Sequence, residues 1–213
     1  MPTILCYGDS NTWGSDPATG GRHPSHLRWP GVLRAALPPA CEVIEEGLRG
    51  RTTLCDDPFE DGRNGLPYLG PCLLSHAPLD LVVLMLGTND VKAFLPHDAA
   101  GIAAGAGRLV RAVRASGAGP NDGAPAVLLI APPPVEVARP LTEVWGFTPL
   151  SVERSRALPA FYRAVAEDLR CPFLDAGSLV QVSGIDGVHF DPAAHERLGR
   201  AVAERAREIL RLT

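Results

Sequence analysis

From Leu79 to Leu86 the chain is apolar at every position except Asp80. A run of this kind, with no polar alternation, must bury both of its faces, as a strand does in a parallel sheet covered by helices on each side. It is also far too short to cross a bilayer. Shorter strand-like segments at 3–7, 42–46, 126–131 and 172–175 join the central one at 80–86, giving five. Stretches with helical periodicity fill the intervals at 29–37, 65–75, 99–115 and 152–168, and a last helix follows Pro192 with Asp191 as its N-cap. Strands alternating with helices predict an α/β protein built on a five-stranded parallel sheet. A length of 213 residues fits a single domain spanning 1–213.

The last helix carries Leu198, Val202 and Ile209 on one face, with Arg200, Glu204, Arg207, Glu208 and Arg211 on the others. This amphipathic pattern suits packing on the sheet, and the mixed charge signs argue against a membrane surface. Formal net charge is −4 and no basic stripe interleaved with aromatics appears, so the footprint of a nucleic-acid partner is missing. The N-terminal residues lack the basic and apolar segments of a signal peptide. Cys6, Cys41, Cys55, Cys72 and Cys171 are odd in number and without CxxC or metal-ligand spacing, so neither disulfide framework nor metal site is expected and a cytoplasmic location is. Two segments are rich in turn residues: 117–125 reads as a surface loop, and 132–149 as an insertion beside a pocket or subunit contact, or an inert loop.

Chemistry concentrates where strands end. Gly8-Asp9-Ser10-Asn11-Thr12 follows the first strand and so sits at its carboxyl end, where open α/β sheets place ligands. Ser10 is a candidate nucleophile there, although Gly-Asp-Ser alone is a common turn and a serine hydroxyl needs a base to take its proton. If Ser10 opens a short helix, its own N–H faces developing negative charge. Between the fifth strand and the last helix, Asp186 and His189 stand three residues apart. In a turn that spacing lets the carboxylate hold Nδ1–H and leave Nε2 free for a serine, while an isolated pair of this kind also fits a capped turn. Two further rim loops offer donors for an oxyanion: Gly50, whose N–H no side chain obstructs, and Asn89, through its carboxamide. Taken singly, Gly50 reads as a turn residue and Asn89 as an Asx-turn or cap.

These four blocks, in this order and each after a strand, resemble those of the SGNH (GDSL-type) hydrolases. The stretches 6–14, 45–53, 85–90 and 186–189 are similar to the bacterial arylesterase/acyltransferase branch, and the likeness extends over nearly the whole chain. The resemblance implies a flavodoxin-like three-layer α/β/α sandwich, no cofactor, and hydrolysis of short-chain carboxylic esters. It implies Ser10 as nucleophile, His189 as base and Asp186 as its orienting acid, with the N–H groups of Ser10 and Gly50 and the side chain of Asn89 as oxyanion hole. It further implies small-molecule ester substrates, acyl transfer or perhydrolysis as side activities, and a homo-oligomer whose interface narrows the entrance.

One position departs from the family's pattern: Asn11 stands where a leucine is usual, a change expected to affect packing or a pocket wall and not chemistry. Asp9, Asn11 and Trp13 are expected near the substrate pocket, with an interface or plain packing as the alternatives for Trp13. Trp29 and Trp145 are pocket, interface or packing residues; His76 and His195 read as surface histidines, and Arg49 and Arg51 as solvated loop charges or as groups that greet an anionic substrate. The rival readings are a flavodoxin-like binding domain and an inactive interaction protein on the same scaffold. The first lacks a GxGxxG or Walker-type loop after strand one and leaves the Asp186/His189 pair without a role.

Overall fold

The computed structural model describes residues 1–137 and 140–212. Ala138 and Arg139, which belong to the insertion at 132–149, lie outside the described residues, as does Thr213. In chain order the elements are β1 (Thr3–Gly8), α1 (Ser10–Trp13), α2 (Trp29–Ala36), β2 (Glu42–Gly47), α3 (Gly65–Ser75), β3 (Leu81–Met85), α4 (Ala99–Arg114), β4 (Ala126–Ala131), α5 (Pro140–Val144), α6 (Pro149–Asp168), β5 (Phe173–Asp175) and α7 (Pro192–Leu210). The strands form one sheet in the order β2-β1-β3-β4-β5, and every neighbouring pair is parallel. The five-stranded α/β architecture is the expected one.

The central strands show why a continuous apolar run was needed. Along β1, Ile4 and Cys6 point to one face while Leu5 and Tyr7 point to the other, and all four are fully buried. β3 repeats the pattern, with Leu81, Val83 and Met85 on the first face and Val82 and Leu84 on the second. Helices α2 and α7 pack against each other over the first face, where Trp29, Leu33, Leu198 and Val202 complete the core. Helices α3, α4 and α6 cover the second through Leu69, Leu73, Ile102, Val110, Leu158 and Tyr162. The result is three layers.

Helix starts follow local chemistry. The side chains of Asn64, Asp98 and Asp191 accept backbone N–H groups of Leu66, Gly101 and Ala194 at 3.1, 2.8 and 2.7 Å, and so cap α3, α4 and α7. Helix α6 begins at Pro149, three residues before the expected start at 152, because Thr148 and Ser151 form a capping box and Pro149 occupies the first turn. Two short helices were not expected as such from periodicity: α5, inside the proline-rich insertion, and α1, raised in the sequence only as a condition.

Parallel strands bring every strand-to-helix loop to one rim. The loops after Gly8, Gly47, Met85, Ala131 and Asp175 therefore converge at the carboxyl edge of the sheet.

Candidate active site

Ser10 is the first residue of α1, so its N–H has no acceptor within the helix and is directed outward at the helix start. Asp9 caps the helix, its Oδ1 accepting the N–H of Asn11 at 2.9 Å, and Gly14 ends it in the left-handed region at φ +88°. Two glycines let α1 lie directly on the sheet ends. A Cβ at Gly8 would stand 2.0 Å from Thr12 Oγ1, and one at Gly47 only 2.1 Å from the backbone nitrogen of Trp13.

Across the rim, the loop leading into α7 delivers His189. Its Nε2 lies 3.0 Å from Ser10 Oγ and its Nδ1 lies 2.6 Å from Asp186 Oδ2. Asp186 Oδ1 accepts the backbone N–H groups of Val188 and His189 at 3.0 and 2.9 Å. Burial pushes the Asp186 carboxyl up, but the His189 imidazole and these two N–H groups outweigh it and hold the carboxyl below its ordinary value. The loop itself is braced: Ser183 N–H donates to His189 O at 2.7 Å, Glu136 N–H to Gly187 O at 2.7 Å, and Thr142 Oγ1 to Asp186 O at 3.0 Å.

Ser10 and His189 open onto a cavity of about 500 Å³ that is also lined by Gly50, Asn89, Lys92, Phe94, Trp145, Phe147 and Val188. Gly50 adopts φ +79°, a left-handed conformation suited to glycine. Asn89 donates one Nδ2–H to Arg51 O at 3.1 Å, which fixes its carboxamide and leaves the second N–H for the cavity. The loops carrying these two donors are joined by Asp90, whose carboxylate accepts Thr53 N–H at 2.9 and 3.0 Å and Thr53 Oγ1–H at 2.5 Å. Ser10, Gly50, Asn89, Asp186 and His189 are thus brought together at one place.

The three residues expected near the substrate pocket do not line the cavity. Asp9 and Asn11 are buried beneath the site and Trp13 is half-buried, and none lines the cavity. Asp9 is occupied as the cap of α1, and its complete burial pushes the carboxyl up to about 6 despite the hydrogen bond from the Asn11 N–H. Trp13 is covered by the guanidinium groups of Arg22 and Arg49, 4.8 and 5.4 Å from its ring. Asn11 donates from Nδ2 to Val188 O at 3.1 Å and accepts Phe190 N–H on Oδ1 at 3.2 Å.

Two polar residues read as exposed are buried. Arg51 stacks 4.1 Å over the Tyr7 ring and donates from Nη1 to Gly8 O and Glu46 O at 2.9 and 2.5 Å, pinning the first two strand ends together. His195 is fully buried in α7, where Nδ1 accepts the Trp29 N–H that opens α2 at 3.2 Å. Trp29 is core, whereas Trp145 lines the cavity with its ring 6.3 Å from that of His189. The insertion at 132–149 does border the pocket, through Val144, Trp145 and Phe147. Asp57, Phe59 and Phe94 also line it, and no motif or periodicity marks them in the sequence.

No protein of curated function matches the chain. Among solved structures it is similar to an aryl esterase from M. smegmatis, at 41% identity and a TM-score of 0.92 over 98% of this chain and 100% of that one. A carbohydrate acetylesterase from Sinorhizobium meliloti is similar at 38% identity and a TM-score of 0.92, again over 98% of this chain and all of the other. A carbohydrate acetylesterase family member from the same organism shares 42% identity at a TM-score of 0.93, with both chains covered completely. The model of the GDSL-like lipase/acylhydrolase family matches residues 6–197. On the strength of that match and of these neighbours, the chain belongs to the GDSL-like lipase/acylhydrolase family.

Proposed function

We propose that this carboxylic ester hydrolase cleaves short-chain esters, aryl or carbohydrate acetates, by two-step acyl transfer through Ser10, His189 and Asp186. The observation that carries the reading is the unbroken chain from Ser10 Oγ through the His189 ring to Asp186, at 3.0 and 2.6 Å, in the floor of a cavity. As Ser10 Oγ attacks the carbonyl carbon, its proton passes to His189 Nε2 and the carbonyl oxygen becomes an oxyanion held by the N–H groups of Ser10, Gly50 and Asn89. Collapse breaks the ester C–O bond, and the proton on Nε2 goes to the leaving alcohol. Water, giving one proton to the same nitrogen, then attacks the acyl-enzyme; collapse breaks the bond to Ser10 Oγ, which takes the proton back from Nε2, and the acid is released. Asp186 stays ionised throughout and stabilises the imidazolium.

The apolar lining from Phe94, Trp145, Phe147 and Val188 supports competition by alcohols or peroxide for the acyl-enzyme, and so acyltransferase or perhydrolase activity. Phe59 and Val144, 76% and 79% exposed at the cavity mouth, support a homo-oligomer in which a second copy covers them; a monomer in size-exclusion chromatography at working concentration would exclude it. Five unpaired thiols fit a reducing cytoplasm, and no described helix is long and apolar enough to cross a membrane.

The test is hydrolysis of p-nitrophenyl acetate by the wild type and by Ser10→Ala. Turnover that persists undiminished in the variant removes Ser10 from the reaction. A panel of acetyl, butyryl and octanoyl esters then sets the acyl preference, with acetyl expected to be fastest.

A further inference from the structure

We infer that Asn11 is a positioning residue for the base: its carboxamide grips the chain on both sides of His189 and so sets the imidazole against the neighbouring Ser10. The inference rests on the Ser10–His189–Asp186 reading and adds to it the device that fixes its longest contact. His189 is 179 residues from Ser10 in sequence, and the alignment of the two groups has to be held to a fraction of an ångström for proton transfer in the attack. The other braces on the loop, from Ser183, Glu136, Thr142 and His23, tie it to itself, to the segment after β4 or to the chain between α1 and α2. None of them touches α1.

Asn11 does. It follows Ser10 directly and belongs to the same four-residue helix, it is 1% exposed, and it uses both ends of its amide. Nδ2 donates to Val188 O and Oδ1 accepts the Phe190 N–H, the backbone groups immediately before and after His189. A carboxamide is the group for this task, because it presents a donor and an acceptor on one rigid plane. The leucine usual at this position has neither. A leucine here would leave a buried carbonyl and a buried N–H without these partners, and the base loop would keep its internal bonds and those to Glu136, Thr142 and His23, with no side chain of α1 bonded to the backbone beside His189.

Three variants test this with p-nitrophenyl acetate and with proton NMR. Asn11→Leu should fold, lower kcat about tenfold or more with KM within twofold of wild type, and weaken or broaden the low-field resonance of the His189 Nδ1 proton. Asn11→Asp keeps the shape: protonated it can still donate to Val188 O, and ionised it cannot. Its kcat should therefore hold near the wild-type level at low pH and fall as the introduced carboxyl loses its proton, where the wild type stays on its alkaline plateau. Ser10→Ala separates the two readings: activity retained in that variant overturns the triad, while its loss leaves the triad standing. With the triad standing, wild-type kcat and an unchanged Nδ1 resonance in Asn11→Leu overturn the role of Asn11. If Asn11→Leu does not fold, an Asn11→Asp profile that keeps the wild-type alkaline plateau overturns it equally.

Discussion

Asp186 holds His189 by two bonds at once, accepting the ring Nδ1–H on Oδ2 at 2.6 Å and the backbone N–H of the same residue on Oδ1 at 2.9 Å. One carboxylate therefore sets both the tautomer of the imidazole and the turn from which it projects. Asp186→Asn should keep the turn's shape but favour the wrong tautomer. The expected result is a fall in kcat of about 10³- to 10⁴-fold on p-nitrophenyl acetate with an unchanged thermal melt. A loss of less than tenfold would show that the pair is structural.

Asn89 is held by Arg51 O through one N–H and presents the other to the cavity. On the proposed mechanism, Asn89→Ala removes a donor aimed at charge that exists only after attack. Steady-state kinetics should show kcat reduced by about 10²- to 10³-fold with KM little altered. A rise in KM with kcat preserved would instead make Asn89 a ground-state binding group.

Gly47 lies under α1, and a Cβ there would stand 2.1 Å from the Trp13 nitrogen, 2.6 Å from its Cα and 2.6 Å from the Thr12 carbonyl carbon. Those atoms are all backbone, so the helix carrying Ser10 must move to admit a methyl group. Gly47→Ala should lower stability by about 1–3 kcal/mol in chemical denaturation and reduce kcat in the fraction that folds. Retention of both at wild-type values would mean that α1 is free to shift without consequence.

His195 gives the fold a dependence on acid. Burial, with the nearby His23, His189 and Arg28 adding to it, pushes its pKa down from 6.5 to about 3. A histidine kept neutral in the fold but free to charge in the unfolded chain contributes its full stabilisation above pH 6.5, and that contribution is lost as pH falls from there towards 3. Asp9 and Asp90, both raised by burial from 3.8 to about 6, act in the opposite sense, costing stability as pH climbs through that interval. His195→Asn retains an acceptor for Trp29 N–H and removes the titration. Between pH 6.5 and 4.5 the wild type should lose about 2–3 kcal/mol relative to that variant in urea unfolding, and parallel curves would refute the assignment.

What could be read in advance and what could not divides along physical lines. The strands were legible because burial on both faces forces apolar residues at consecutive positions, as in Leu81 to Met85. The rim loops were legible because parallel topology sends every strand end the same way, so Ser10, Gly50, Asn89 and the Asp186–His189 turn had to share one edge. His195 was misread because its neighbours Glu196 and Arg197 are charged, and helical phase alone does not reveal that Trp29 N–H needs an acceptor. Arg51 was misread for a similar reason: its burial depends on two carbonyls and the Tyr7 ring, which come from other strands and loops. The same is true of Asn11, whose partners lie nearly the whole chain away.

The order of the parts along the polypeptide has a consequence for biosynthesis. Ser10, Gly50 and Asn89 precede the exposed turn around Pro120, while Asp186 and His189 follow it. On the proposed mechanism, a nascent chain thus presents Ser10, Gly50 and Asn89 well before the residues that would withdraw the serine proton have been made. On the same reading, cutting the gene at that turn should yield two silent parts whose reunion is followed by colour from a chromogenic ester.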